Sequence, residues 1–487
     1  MKKATLILAA LALGLHFQAA AQQPDAVYRL LRHEWTLNPD GTSDYRYRHE
    51  VQILRNRALT AYADKGETFV VYNPDIEEVT VNEVYTIQLD GSRVDMPQNA
   101  FIHQLPAECA DCARFNHLRE LAMVHTGMEI GCLVVVDYTV HRRHNFLHET
   151  LPLLVDSPVE TLEIKVNAPA DMEVRQALLG EEYLPAGVAK SDLMRRSITL
   201  RNLPQAPREP YMPEHIVPKL RLFNAPIGFS PAITAENFRG AEDAMGQVML
   251  GDDRAKVIAA RDFVLRNIHL NDIHPRHLGY TRAIPAEVWR SRCGTATDKA
   301  VLLAAILRHE GYTAHVIGDH MDRVAVLIDT LEYSLDIRRS TPPQLIGEAR
   351  DILYTATVDH EDTARLDTLE GGFFRLKIND VHTPLPDVAT LPLQRTTPLA
   401  TSACDLRHTQ TYILPKKVKM TTPDLQRTLN HTGLGSVEVS IRQNGRKLLV
   451  TRIVKTEKST IAPADYPRFR QLMAAWQHLG DLIFRAQ

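Results

Sequence analysis

The sequence predicts an α+β multidomain protein, with an N-terminal β-sandwich-like domain, a central domain of mixed α and β, and a C-terminal β domain with a closing helix. Three observations predict it. The chain has 487 residues, more than one hydrophobic core usually organises, since single cores stop growing near about 250–300 residues. Period-two apolar alternation dominates both ends, whereas helical spacing dominates the middle. Pro204, Pro207, Pro210, Pro213 and Pro218 crowd one short stretch, where fixed φ and missing amide donors favour an extended connector. The expected divisions are 22–203, a linker at 204–218, 219–395 and 396–487.

Composition narrows the class. With 44% hydrophobic and 24% charged residues, the chain is an ordinary globular protein rather than a disordered or collagen-like one. Lys and Arg number 56 against 59 Asp and Glu, a net charge of −3, which gives no reason to expect a nucleic-acid partner. Met1-Lys2-Lys3, the apolar run Ala4 to Leu15 and the small residues Ala19-Ala20-Ala21 read as a signal peptide cleaved after Ala21. No cysteine follows that site, so no lipid anchor is expected. No later apolar run approaches the roughly 18 residues of a membrane span. The mature protein is expected in the periplasm or outside the cell.

Within the first domain, Tyr45, Tyr47, Val51 and Ile53 alternate as a half-buried strand. Val84 to Leu89 runs into the turn pair Asp90-Gly91, Leu133 to Val140 is an apolar strand, and Leu162, Ile164 and Val166 alternate again. Past the prolines, Val257, Ala260, Val264 and Ile268 mark one face of a helix beginning near Asp253. Ala300 to Leu307 is apolar on every face, so that helix must be enclosed, with Thr295 or Thr297 as its cap and Gly311 as its stop. Short strands follow at His315–Ile317, Val324–Ile328 and Tyr333–Asp336. In the last domain, Gln410–Leu414, Val437–Ile441 and Lys447–Val454 are strands, the last two joined at Asn444-Gly445. The amphipathic stretch Tyr466 to Leu479 presents Phe469, Leu472, Met473 and Trp476.

Five cysteines are too few to staple the chain. Cys109 and Cys112 form a C-x-x-C without the second pair of a zinc finger, and in an oxidising compartment a local Cys109–Cys112 disulfide is the favoured reading, against inert thiols or a redox pair. Cys132, Cys293 and Cys404 remain. Two histidine groups, His269, His274 and His277, and His141, His144 and His148, lack the spacing of a metal motif. No metal and no cofactor are expected.

A buried helix behind a Gly-containing loop, followed by strands with polar residues, is the layout of a papain-like thiol enzyme. The chain resembles bacterial secreted proteins of Bacteroidetes in which a domain of unknown function precedes a transglutaminase-like domain. His117-Leu118-Arg119-Glu120, His125 to Glu129 and Asp137-Tyr138-Thr139 carry the N-terminal likeness. Pro285 to Trp289 and Gly294 to Leu303 carry the central one, and Pro463 to Tyr466 through Trp476 the ending. Active members resemble Gly-x-Cys-x-Asp-Lys at the helix start. Matching Gly294, Asp298 and Lys299 puts the nucleophile position on Ala296. The resemblance puts the base position on Arg323 and the third member on Asp336. A methyl group cannot attack a carbonyl, and arginine stays protonated.

The expected function is therefore a non-catalytic relative that binds a peptide or glycan at the cell envelope, with Arg323, Asp336, Asp298 and Trp289 as candidate contacts. An internal Arg323–Asp336 salt bridge is the plainer reading of that pair. One alternative is an active thiol amidase or transamidase using a shifted set, Cys293, His320 and Asp336. Three extended residues span up to about 10 Å, far beyond hydrogen-bond reach, which argues against that set; otherwise Cys293 is a free loop thiol. A structural envelope scaffold is the remaining alternative. The sequence leaves the oligomeric state open.

Overall fold

A computed structural model describes residues 24–64, 69–213, 216–224, 253–271, 273–279, 283–317, 325–328, 331–334, 344–345, 354–378, 385–401, 403–415 and 417–486. Chain contacts divide it into two compact units. The first comprises Met1–Ala110, Asn116–Ala206 and Val217–Ala225; the second comprises Asp111–Phe115, Pro207–Ile216 and Pro226–Gln487. The chain is mostly β, in several separate sheets, as the alternating patterns require.

The first unit is organised by seven strands: β1 (Ala26–Leu37), β2 (Ser43–Ile53), β3 (Glu77–Ile87), β4 (Arg93–Asp95), β5 (Leu133–Arg142), β6 (Val159–Asn167) and β7 (Ser197–Leu203). Their order across the sheet is β7-β6-β1-β2-β5-β3-β4, and only the β1–β6 pair is parallel. Alternate residues point to opposite faces. Leu31 and Trp35, Val51 and Ile53, Val134 and Val136, and Leu162, Ile164 and Val166 are buried on one face. Asp90-Gly91 makes the expected turn, with Gly91 at φ +85° donating to the Gln88 carbonyl at 3.0 Å.

The opposite face carries charges paired across strands. Arg46 grips Asp137 through Nε at 3.0 Å and Nη2 at 2.7 Å, while Arg48 donates to Asp137, Glu83 and Glu50. Asn82 donates a further bond to Asp137 at 2.7 Å. Burial alone would raise the Asp137 pKa, but the donors from Arg46, Asn82 and Arg48 outweigh it and hold the carboxyl below the usual range. Two histidines of the first unit are kept neutral, His49 on the buried face of the sheet and His125 in a loop. Burial, reinforced by His125, pushes His49 down to about 3, and burial pushes His125 down to about 4. His49 Nδ1 lies 3.0 Å from the Tyr47 hydroxyl.

In the second unit, helix α1 (Asp253–Asn267), helix α2 (Pro285–Ser291) and helix α3 (Ala296–His309) share one apolar cluster with the sheet that begins Ala314–Ile317 and Ala325–Ile328. Val257, Ala260, Val264 and Ile268 are the inward face of α1 and its end. Leu302 to Leu307 are each fully buried, which is what an all-apolar helix demands. The sheet continues antiparallel through Leu331–Ser334 and Gln344–Leu345. A five-stranded sheet follows further along, ordered Tyr354–Thr363, Cys404–Ile413, Lys447–Thr456, Gly435–Asn444 and Leu425–His431. Asn444-Gly445 forms the expected hairpin, with Asn444 opposite Lys447.

Helix α4 (Tyr466–Gln477) lays Phe469, Leu472, Met473 and Trp476 into the C-terminal core. Its end is held by a buried cation: Arg452 Nη1 donates to the carbonyls of Trp476 and Gln477, both at 3.1 Å. Those carbonyls have no later turn to bond, and a cation suits the negative end of the helix.

Two outcomes are expected. Arg452→Met strands buried carbonyls and should destabilise the C-terminal domain by about 2–4 kcal/mol, seen as a lowered thermal midpoint with the rest of the chain still folded. His49 and His125 have folded pKa values below the unfolded value of about 6.5, so the unfolded chain takes up protons first. Stability should fall as pH drops from about 6.5 toward 4. Thermal scans of the wild type against His125→Leu should show a shallower acid limb in the variant.

Candidate functional site

The site is the start of α3. Just before it, Cys293–Gly294 pairs in parallel with His269–Leu270, and Asn271 N donates to the Gly294 carbonyl at 3.0 Å. Gly294 cannot carry a side chain, because a Cβ there would lie 2.9 Å from the Asp298 Cβ. Thr295, not Thr297, is the cap: its hydroxyl accepts from Asp298 N at 3.2 Å, and Asp298 Oδ2 accepts from Thr295 N at 3.0 Å. This reciprocal capping box satisfies two donors that the helix itself cannot.

Asp298 does more than cap. Its Oδ1 accepts from Ala283 N at 3.1 Å, and its Oδ2 accepts from Arg114 Nη1 at 2.9 Å. A buried carboxylate needs this many partners. The neighbouring Lys299 is fully buried and donates to the Ile268 carbonyl at 2.9 Å, fastening the helix start to the end of α1. Trp289 stacks on Phe263 with ring centroids 5.4 Å apart, and the Arg292 guanidinium carbon lies 3.2 Å from the centroid of the Trp289 ring. Trp289 is thus engaged in packing and cation–π contact. From Cys293 to Leu307, Ala296 is the one residue that is not buried. The position at which the family resemblance puts a nucleophile therefore reaches solvent, and it carries a methyl group.

The cysteines correct two expectations. Cys112 is bonded to Cys293, with Cα atoms 6.0 Å apart, and Cys109 is a free buried thiol. The local Cys109–Cys112 bridge does not form, and Cys293 is not a free loop thiol. Three residues apart in sequence, Cys109 and Cys112 face different surroundings. Burial, with Glu108 and Glu120 adding repulsion, pushes the Cys109 thiol up to about 11. Cys112 belongs to the short stretch Asp111–Phe115 of the second unit, which also supplies Arg114 to Asp298. Sequence reasoning missed Cys112 as the partner of Cys293 and Arg114 as the partner of Asp298. Neither carries a local signal.

Of the other candidates, His320, Arg323 and Asp336 lie outside the described residues. His274 caps a short turn by accepting from Arg276 N at 3.1 Å, and His277 Nε2 accepts from Arg276 Nε at 3.3 Å. His141, His144 and His148 belong to the first unit, where His141 Nδ1 lies 2.6 Å from Asp44.

Residues 39–207 match a domain of unknown function with a solved structure (DUF3857), and residues 378–480 match a second such domain (DUF3858). A crystal structure from Parabacteroides distasonis, described as that of a presumed protease, is similar with a TM-score of 0.75 and 23% sequence identity. The match covers 95% of this chain and 99% of that one. At that identity the likeness shows a shared fold. No curated protein matches the chain.

Peptide mapping of the unreduced protein should give one cross-linked pair containing Cys112 and Cys293. Cys109 should react with iodoacetamide only after unfolding, because its thiol is buried and far above the usual pKa of about 8.5. A linked Cys109–Cys112 peptide would contradict the structure.

Proposed function

We propose that the chain is a secreted, non-catalytic relative of the transglutaminase and cysteine-protease group that binds a peptide or glycan at the cell envelope. The observation that carries this reading is the start of α3. Its accessible position holds Ala296, and the nearest cysteine in sequence, Cys293, has its sulfur committed to Cys112. A thiol enzyme needs a thiolate at a helix start, where the dipole and free amides stabilise it. Removing the nucleophile from a comparable hydrolase costs roughly 10⁶ in turnover. The likeness to a presumed protease is compatible with this ancestry.

The disulfide also supports secretion, since such bonds persist in oxidising compartments. It agrees with the signal peptide read at Met1 to Ala21. What the helix start retains is a fixed geometry. A ligand carboxylate or carbonyl can still be received by helix-start amides without any covalent chemistry.

The test is turnover. Mature protein should release no product from peptide or amine-donor substrates, oxidised or reduced. Activity that appears on reduction and is lost in Cys293→Ala would overturn the reading in favour of a thiol enzyme using Cys293. The paired change Ala296→Cys with Arg323→His should raise hydrolysis above the wild-type background, because it restores both positions that the resemblance assigns to chemistry.

A further inference from the structure

We infer that a cleft of about 470 Å³ at one end of the seven-stranded sheet binds a sugar residue of a glycan. The inference rests on the binding reading above, and it names the ligand class at a place other than the helix start. Three side chains form the polar row of the cleft. Asp44 on β2 stands directly opposite His141 on β5, and Glu78 on β3 stands opposite His141 on the other side. Residues opposite one another in a ladder point to the same face, so the three are presented together. Asp44 Oδ1 lies 2.6 Å from His141 Nδ1. That bond fixes the ring and leaves Nε2 to meet a ligand.

The surroundings are built to stay in place. Beneath the row, buried Arg142 sits between two buried carboxylates, Glu77 at 3.3 Å and Glu149 at 3.4 Å. Glu77 also accepts from Asn73 N at 2.9 Å, which holds the turn carrying Pro74. Arg143 is steered by a bond from Nη1 to the Asp75 carbonyl at 3.0 Å and keeps further donors. Tyr72 is oriented by its hydroxyl, 3.0 Å from His103 Nδ1. A site so pre-formed loses little freedom on binding, and its volume falls in the range of about 300–1,000 Å³ usual for small-molecule sites.

The chemistry of the lining selects the ligand. Its carboxylates and guanidinium groups nearly balance, so a strongly charged ligand gains little. Planar acceptors at Asp44 and Glu78, a donor fork at Arg143 and an imidazole match the adjacent hydroxyls of a sugar ring. Tyr72 and Pro74 offer flat apolar surface to its C–H face. A peptide anchored by side chains would need deeper apolar sockets than this lining provides.

Saturation-transfer NMR and calorimetric titration of the full mature protein would test this with glucose, galactose, mannose and N-acetylglucosamine, and with blocked tripeptides as the rival class. At least one sugar should bind saturably. Glu78→Ala and His141→Ala, with thermal midpoints unchanged from wild type, should each weaken it at least about tenfold, the worth of one lost charge-assisted bond. No sugar binding, equal binding in both variants, or binding of tripeptides instead would overturn the assignment. Absence of sugar binding together with absence of turnover would leave the non-catalytic reading standing, whereas turnover with intact sugar binding would do the reverse.

Discussion

A helix that is apolar on every side cannot turn its first amides to water, and the second unit depends on how that problem is met at α3. Two of the donors at its start, the amides of Asp298 and Thr295, are taken up by the Thr295 hydroxyl and the Asp298 carboxylate. Burying Asp298 creates a second demand, since an isolated carboxylate in such a place would be prohibitively costly. Arg114 and the amide of Ala283 meet it. Lys299, the next residue, is buried in turn and spends its charge on the Ile268 carbonyl. Gly294 is required because the cap leaves no room for a Cβ. One enclosed helix thus dictates a glycine, a threonine, an aspartate, a lysine and an arginine supplied from a distant stretch of chain.

The same arrangement fixes the neighbouring stretch of chain. The stretch Asp111–Phe115 is secured by an ion pair, a disulfide and the fully buried ring of Phe115. A cysteine joined to Cys112 is a cross-link rather than a nucleophile, and it adds to the stability of the folded chain chiefly by restricting the unfolded one. The accessible position at the helix start, Ala296, carries no reactive atom.

In the first unit, the controlling constraint is two-sided. One face of the sheet is buried apolar surface, and the other is a lattice of charges that satisfy one another across strands. Asp137 lies at the centre of this lattice, inaccessible to solvent yet held ionised by two arginines and an asparagine. Where the lattice ends, Asp44, His141 and Glu78 line the cleft. Polar groups that are fixed in position but not wholly consumed by their neighbours are what ligand recognition uses.

Much of the fold was determined by sequence alone, because it follows from local periodicity. Alternation at Tyr45 to Ile53 and Leu162 to Val166 fixes strands and their inward faces, the run Ala300 to Leu307 fixes an enclosed helix, and Asn444-Gly445 fixes a hairpin. The absence of a thiol at Ala296 was equally legible, since it is a matter of residue type. Tertiary structure alone decided the pairings. Cys112 and Cys293 are separated by 181 residues, and Arg114 is similarly remote from Asp298. Cys109, three residues from Cys112, was the better candidate by proximity along the chain. Proximity along the chain governs hairpins and helices, but a disulfide or a buried ion pair needs proximity in space, which is set by how whole elements pack. The row Asp44, His141 and Glu78 was hidden for the same reason, as its members come from three strands brought together only by register.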